Sequence, residues 1–353
     1  MIVDIHAHIV DRSYFERLVS ACGLQREETA DGKSLFRRDG FTVAWSRADM
    51  FDVESRLADM DRKGIDMRVL SLSTPNVYPF SPDARGRVTV EINDALATMC
   101  RAHPTRFVGL GSLPLPDLPA SLAELERVVG ELGMKGVIVG SNVGGPPLND
   151  PIYEPLWSRI NELRLPVFEH PMFPRDTSDL GEFELPLRVG LIADTTLVAT
   201  RLIYAGIFER YPDFPYIMAH TGGSLLVLLA RLDNGYKLFP DCRKYISTLP
   251  SVYARRLYYD TCAFDPEVLR LATRLVGSDH LLFGTDDPFI DSDTEHVRAL
   301  SLPAADEAAI LGGNVVRLLG LSDGSLRASA TPARHAAAGN ELRAPLPNGG
   351  ATG

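Results

Sequence analysis

The strongest constraint on the fold is a recurrence. Short apolar runs at residues 2–6, 67–72, 107–110, 136–139, 166–170, 215–219, 257–260 and 281–284 alternate with longer segments whose apolar residues fall at helical spacing. Continuous Val, Ile, Leu and Phe without polar alternation suit a strand buried on both faces, as a parallel strand covered by helices is. The segments 52–64, 88–103, 118–132, 153–163, 265–276 and 305–319 read as helices, and Gly64 sits where the first of them needs a C-cap. About eight strands joined by helical crossovers predict a (β/α)8 TIM barrel of the α/β class over residues 1–321. Two segments stand apart. Residues 11–46 are long for a strand-to-helix loop and read as a small insertion, or lid, at the catalytic face. Residues 322–353 are rich in Ala, Gly, Pro, Ser and Arg, lack periodicity, and are expected to form a disordered tail.

The 353 residues are 45% hydrophobic and 23% charged, an ordinary composition for a soluble globular protein. A barrel of this length folds as one domain. The net charge of -10 argues against nucleic acid or an anionic membrane as partner. It leaves a small anionic substrate open, because a pocket can be locally positive. The start, MIVDIHAHIV, is too short for a signal sequence and carries Asp4 and two histidines, so it reads as a buried strand. Cys22, Cys100, Cys242 and Cys262 show no CxxC spacing, and free thiols in a reducing cytoplasm are expected.

The chemistry is concentrated at the ends of the apolar runs. His6 and His8 form an H-x-H pair on the first, and side chains two apart on a strand share a face. His170 ends the fifth run in PVFEHP, His220 ends the sixth in YIMAHTGG, and Asp286 follows the eighth in LLFGTDDPF. The C-terminal rim is where barrel enzymes carry out catalysis. One such histidine is more often a satisfied core or loop residue, but ligand-type residues at four separate strand ends point to a metal site. His103, His280, His296 and His335 lack this placement and are given structural roles.

DIHAH, FEHP, AHTGG and GTDDPF, in this order, resemble the amidohydrolase superfamily, in the branch typified by 2-amino-3-carboxymuconate-6-semialdehyde decarboxylase. DVESRLADMDRKGID, RFVGLGSLPLPD, ELGMKGVIVGSNV, IFERYPDFPYIMAHTGG and GNVVRLLGL extend the likeness over residues 1–321. The resemblance implies that His6, His8, His170 and Asp286 are metal ligands, with a water completing the shell. It implies that His220 touches that water as acid/base. Arg47, in AWSRADMFD, matches an arginine that grips a substrate carboxylate. Arg231, in LARLDNGY, matches one supplied across a homodimer interface to the neighbouring site. Imidazole and carboxylate donors suit Zn²⁺, with Mn²⁺ the other candidate. Some superfamily members hold two metals through a modified lysine on the fourth strand. Lys135 precedes that strand here, so a single ion is expected.

The chain departs from the named decarboxylase in its pocket walls. Met172 stands where that enzyme has the tryptophan of H-P-W, and Glu184, in FELPLRVG, replaces a second tryptophan. The resorcylate decarboxylase branch usually starts E-x-H and carries a glutamate just after the sixth-strand histidine. His6 and Gly223 at these places favour the first branch. The expectation is therefore a metal-dependent, non-oxidative decarboxylase of a small unsaturated or aromatic carboxylic acid. A hydrolase (lactonase or amidase) or a hydratase on a carboxylated substrate is the alternative.

Overall fold

Each expected apolar run is a strand in the computed structural model, which describes residues 1–321; the tail expected to be disordered lies outside the described residues. The strands are β1 (Val3–Ile9), β2 (Met67–Leu72), β3 (Phe107–Gly109, resumed as Gly111–Ser112), β4 (Val137–Gly140), β5 (Val167–His170), β6 (Tyr216–Met218), β7 (Tyr258–Asp260) and β8 (Leu281–Leu282). They pair in parallel and in chain order from β1 to β8. The ring closes where the Ile5 N–H donates to the Phe283 carbonyl at 2.8 Å and the Asp286 N–H to the His6 carbonyl at 2.8 Å. The fold is thus a TIM barrel.

Helices follow the strands at Val53–Lys63, Pro82–Ala102, Leu118–Gly130, Glu154–Leu163, Leu191–Tyr204, Leu225–Leu238 and Pro266–Val276. Their starts are chemically marked: Asp52, Asp117 and Asp265 each accept a backbone N–H of the first turn. Gly64 ends the first of these helices at φ 67°, as its sequence position suggested. The last helical stretch, expected as one helix over 305–319, is broken at Gly312. A Cβ there would lie 2.4 Å from the Met1 carbonyl oxygen, so the chain's first residue and its last helix meet at a point only glycine allows.

Residues between β1 and the Val53–Lys63 helix form a helix, Arg12–Cys22, and an antiparallel sheet of Gln25–Glu28, Lys33–Arg38 and Phe41–Arg47. Two apolar clusters result. One fills the space between strands and helices. The other fills the barrel itself, with Val3, Ile5, Met67, Val69, Leu110, Ile138, Phe168, Ile217 and Leu282, and Val315 and Leu319 of the last helix pack against its base. Among the described residues no helix is long and apolar enough to cross a membrane. Cys22, Cys100, Cys242 and Cys262 are all free.

Ile217 is wholly buried inside the barrel and belongs to its apolar cluster. Ile217→Ala is expected to cost about 2–5 kcal/mol through lost burial and the cavity left behind. Denaturant unfolding checks this as a lowered midpoint at unchanged slope; a midpoint equal to the parent's would show that the interior is loosely filled.

Candidate metal centre

β1 carries both interior apolar residues and interior histidines because its register slips. Asp4 pairs with Arg68 and Ala7 with Leu70, so three steps on β1 match two on β2. This extra residue changes the parity of the strand. Val3 and Ile5 face the barrel interior below the slip, and above it Ala7 and Ile9 join the outer cluster. His6 and His8 thereby point into the mouth, where the His6 ring lies 5.0 Å from that of Phe168.

Five donors converge there. His6 Nε2 is 3.1 Å from His8 Nε2, and both are 3.3 Å from Asp286 Oδ1. His220 Nε2 is 3.5 Å from Asp286 Oδ2. The His170 ring centroid is 4.7 Å from that of His8 and 5.1 Å from that of His6. One donor atom each from His6, His170, His220 and Asp286 fall within 4.8 Å of one another, and His8 completes the cluster from the His6 side. Ligands about 2.1 Å from a common ion lie roughly 3–4 Å apart, so these spacings fit one metal ion.

The surroundings fit it too. His6 Nδ1 donates to Asp260 Oδ2 at 2.6 Å, His8 Nδ1 to the Ser71 carbonyl at 3.3 Å, and His170 Nδ1 to the Pro171 carbonyl at 3.1 Å. Each bond fixes the tautomer that leaves an Nε2 lone pair facing the cluster. His170 Nε2 is buried and has no hydrogen-bond partner among the described residues, which is the mark of a donor waiting for a cation. Burial lowers the pKa of His8 and, reinforced by the neighbouring imidazoles, takes that of His170 well below the usual value, so both rings are neutral. For Asp286 burial acts upward, but His6, His220 and His8 outweigh it and hold the carboxyl ionised, well below its usual range. Burial likewise opposes the charging of His6, yet Asp286 and Asp260 raise it to about 10. The carboxylates thus make this pocket favour positive charge, which a divalent ion would supply.

His220 differs. It sits in a left-handed turn with Thr221, at φ 52° and 53°, followed by Gly222 and Gly223. A Cβ at Gly222 would meet the Tyr259 ring at 2.6 Å, and one at Gly223 the Ile192 carbonyl oxygen at 2.7 Å, which accounts for the paired glycines of AHTGG. His220 Nδ1 is buried without a hydrogen-bond partner among the described residues, so no acceptor behind the ring commits that nitrogen. The side chains of His220 and Asp286 are 15% and 14% exposed, whereas those of His6 and His8 are fully buried, so the cluster opens on the His220 and Asp286 side.

The two arginines are elsewhere. Arg47 Nε lies 3.1 Å from Asp49 Oδ1, and its guanidinium stacks 5.5 Å over the Trp45 ring. It lines a surface cleft with Arg56, Asp59, Arg62 and Asp287, and none of the five donors lines that cleft. Trp45 connects it to the site at one remove, packing on Phe289, which packs on His8. Arg231 is exposed on the Leu225–Leu238 helix, away from this chain's own cluster. Lys135 is exposed and precedes β4.

Asp260 is the functional residue that sequence reasoning missed. It is fully buried and accepts from His6 Nδ1 and from the backbone N–H groups of His220, Thr221 and Cys262. Burial acts to raise its pKa, but these donors hold it below the ordinary carboxylate range. Its position at the end of β7, on the rim that holds the other candidates, was the available signal. Cys262 is grouped with His6 and Asp260. Burial pushes its thiol well up.

Metal analysis should find about one divalent ion per chain, and His170→Ala should remove it. Asp260→Asn should weaken metal binding about ten- to a hundredfold, the usual effect of losing a partner that orients a ligand. Chelator competition reads this directly, and unchanged affinity in Asp260→Asn would mean that His6 needs no orienting carboxylate.

The comparisons with known proteins agree with this geometry. An amidohydrolase family model matches residues 3–321. A 2-amino-3-carboxymuconate-6-semialdehyde decarboxylase of Dictyostelium discoideum is 29% identical over 339 residues, covering 90% of this chain and 91% of that protein. A gamma-resorcylate decarboxylase of a Rhizobium species is 32% identical over 290 residues, covering 76% and 87%. The structure of a dihydroxybenzoic acid decarboxylase from Polaromonas sp. JS666, with bound manganese and the inhibitor 2-nitroresorcinol, matches with a TM-score of 0.75 at 26% identity, covering 92% of this chain and 98% of that one. By its barrel, its rim of histidines and this likeness over nearly all the described residues, the chain belongs to the amidohydrolase family.

Proposed function

We propose that this protein is a metal-dependent, non-oxidative decarboxylase of a small aromatic or unsaturated carboxylic acid. The observation that carries the reading is the set of histidine Nε2 atoms converging on Asp286 while their Nδ1 atoms are tied outward. The names of the relatives supply the reaction class. His6, His8, His170 and Asp286 would hold the ion. Their nitrogen-rich set suits Zn²⁺, and the manganese of the Polaromonas structure makes Mn²⁺ the other ion to test. When bound, the ion supplies positive charge that anchors and polarises an oxygen of the substrate.

The chain's own groups do the rest. In decarboxylation the bond from carbon to the carboxyl group breaks, CO₂ leaves, and the electron pair stays on carbon. A proton must reach that carbon. His220, on the open side of the cluster and free at Nδ1, is the group placed to deliver it from Nε2 and later to regain it from solvent. Trp45 and Phe289 wall the His8 side and exclude water there. Arg47, on exchanging Asp49 for substrate, would grip a carboxylate with two parallel bonds.

The assembly we propose is a homodimer in which Arg231 enters the partner's site. Arg231 shares its exposed helix with Val227, which is 67% exposed, and Leu197 of the packed neighbouring helix is 47% exposed. Apolar side chains left in solvent beside an unused cation suit an interface. The four free thiols suit a reducing, cytoplasmic setting.

The test is CO₂ release from a panel of aromatic and unsaturated acids after metal loading. His220→Ala should keep its metal and lose about a hundredfold or more in rate. Loss of metal would make His220 a ligand instead. Arg47→Lys should lose about ten- to a hundredfold in kcat/KM on acids, because lysine lacks the planar fork. Substrate consumed without CO₂ would transfer the assignment to hydrolysis or hydration.

Cross-subunit supply has its own test. Inactive Arg231→Ala and inactive His220→Ala chains, once mixed and exchanged, should form hybrid dimers with one repaired site and recover part of the activity. Proven exchange without recovery would place Arg231 outside the catalytic machinery.

A further inference from the structure

Asp286 holds a conformation that the backbone does not favour. Its φ is 58°, in the left-handed region, where residues other than glycine are uncommon and aspartate is among those more readily accommodated. Something must keep it there with its carboxylate aimed at the histidines, and its chain neighbour shows what. Asp287 turns the opposite way, out through the barrel wall and under the Val53–Lys63 helix. Its Oδ2 accepts from Arg56 Nη2 at 2.6 Å, and its Oδ1 lies 3.0 Å from Arg68 Nη1. Each oxygen of one carboxylate therefore faces a different arginine, through a hydrogen bond from Arg56 and an ion pair with Arg68.

Both arginines are buried. Arg68 is fully enclosed and Arg56 is 4% exposed. Arg68 is held in turn by Asp59 Oδ2 at 2.9 Å and by Asp4 Oδ2 at 3.4 Å. Asp4 also accepts from the Thr285 hydroxyl at 2.6 Å and the Thr285 N–H at 3.1 Å. The network thus grips the segment after β8 on both sides of Asp286, at Thr285 and at Asp287. It does so at the seam where the barrel closes, beside the bond from the His8 N–H to the Asp287 carbonyl at 2.8 Å. The two guanidinium groups are almost wholly removed from solvent, so taking away a partner carboxylate leaves a buried charge poorly compensated.

We infer that Arg56 and Arg68, acting through Asp287, are positioning residues that hold Asp286 in its left-handed conformation and so set the affinity of the metal centre. The inference rests on the metal-centre reading given above. Neither arginine touches the donor cluster. Their effect is on where Asp286 points, and through it on the ion.

Metal-stripped protein titrated with Mn²⁺, with free ion read by electron paramagnetic resonance, tests this without any turnover. The parent should bind about one Mn²⁺, and Asp286→Ala should abolish binding. Asp287→Asn should bind about ten- to a hundredfold more weakly, in line with the loss of an outer partner of a metal ligand. Arg56→Met should weaken binding in the same direction, and Arg56→Lys, which returns a cation to Asp287, should recover most of the loss. If Asp287→Asn does not fold, the Arg56 pair decides. A folded Asp287→Asn or Arg56→Met chain that loses thermal stability but binds Mn²⁺ as tightly as the parent would make the network merely structural and overturn the inference. A parent chain that binds no divalent ion would instead overturn the metal-centre reading, and this inference with it.

Discussion

The Asp260 carboxylate is the contact on which the rest of the site depends. It is a buried charge, which costs several kcal/mol in lost hydration unless its lone pairs are filled. Four N–H groups fill them: His6 Nδ1 at 2.6 Å and the backbone of His220, Thr221 and Cys262 at 2.9, 2.7 and 2.9 Å. Bonds to a charged acceptor contribute roughly 1.5–3 kcal/mol each, enough to offset the burial. The same carboxylate thus fixes the tautomer of a proposed ligand on β1 and the left-handed turn that presents His220 after β6. The two proposed roles, holding an ion and moving a proton, would be placed relative to each other through one residue on β7.

A second constraint is the closing of the barrel. β8 is only two residues long by its pairing, Leu281–Leu282, and the seam to β1 beyond it has a single bridge, Ala7 to Asp287. Beyond β8 the seam is held by separate backbone bonds, from Ile5 N–H to Phe283, Asp286 N–H to His6 and His8 N–H to Asp287, each 2.8 Å. Charge reinforces the seam there, with Asp4, Arg68, Asp287 and Arg56 stitched across it. The slip in β1 is part of the same solution. It lets one strand present Ile5 to the apolar interior and His6 to the ion, which strict alternation would forbid.

Much of this was legible in the sequence, for physical reasons. Strands buried on both faces must be apolar throughout, so all eight were visible as runs. Donor residues at strand ends converge because the barrel makes the ends converge, so His6, His8, His170, His220 and Asp286 could be grouped without knowing a distance. What was not legible depends on contacts. Gln25–Glu28 is exposed along its whole length and has no apolar period, so its place in an antiparallel sheet comes only from pairing with Lys33–Arg38. Asp260 looks like any polar residue after an apolar run until its four donors are seen. Asp287 reads as the second half of a loop aspartate pair, and the arginines that bury it lie more than two hundred residues away. The helices Leu191–Tyr204 and Leu225–Leu238 were not singled out as such. Both are rich in apolar residues, and the second leaves Val227 in solvent, which blurs the stripe that marks an amphipathic helix.

Distance alone does not separate the ligands from the acid/base, because His220 lies within the same 4.8 Å group as His6, His170 and Asp286. The second ring nitrogen does. A histidine that serves as a ligand through one nitrogen gains from having the other committed, since a fixed N–H sets the ring plane and raises the basicity of the lone pair. His6, His8 and His170 are committed in this way, to a carboxylate and to two carbonyls. A histidine that must carry a proton is served badly by such a commitment, because a strong acceptor at Nδ1 would lock the ring in one state. His220 has no such acceptor, it is tethered through its backbone rather than its ring, and it faces the open side. The division of labour proposed for these four histidines therefore rests on what lies behind each ring, not on how near it comes to the centre of the cluster.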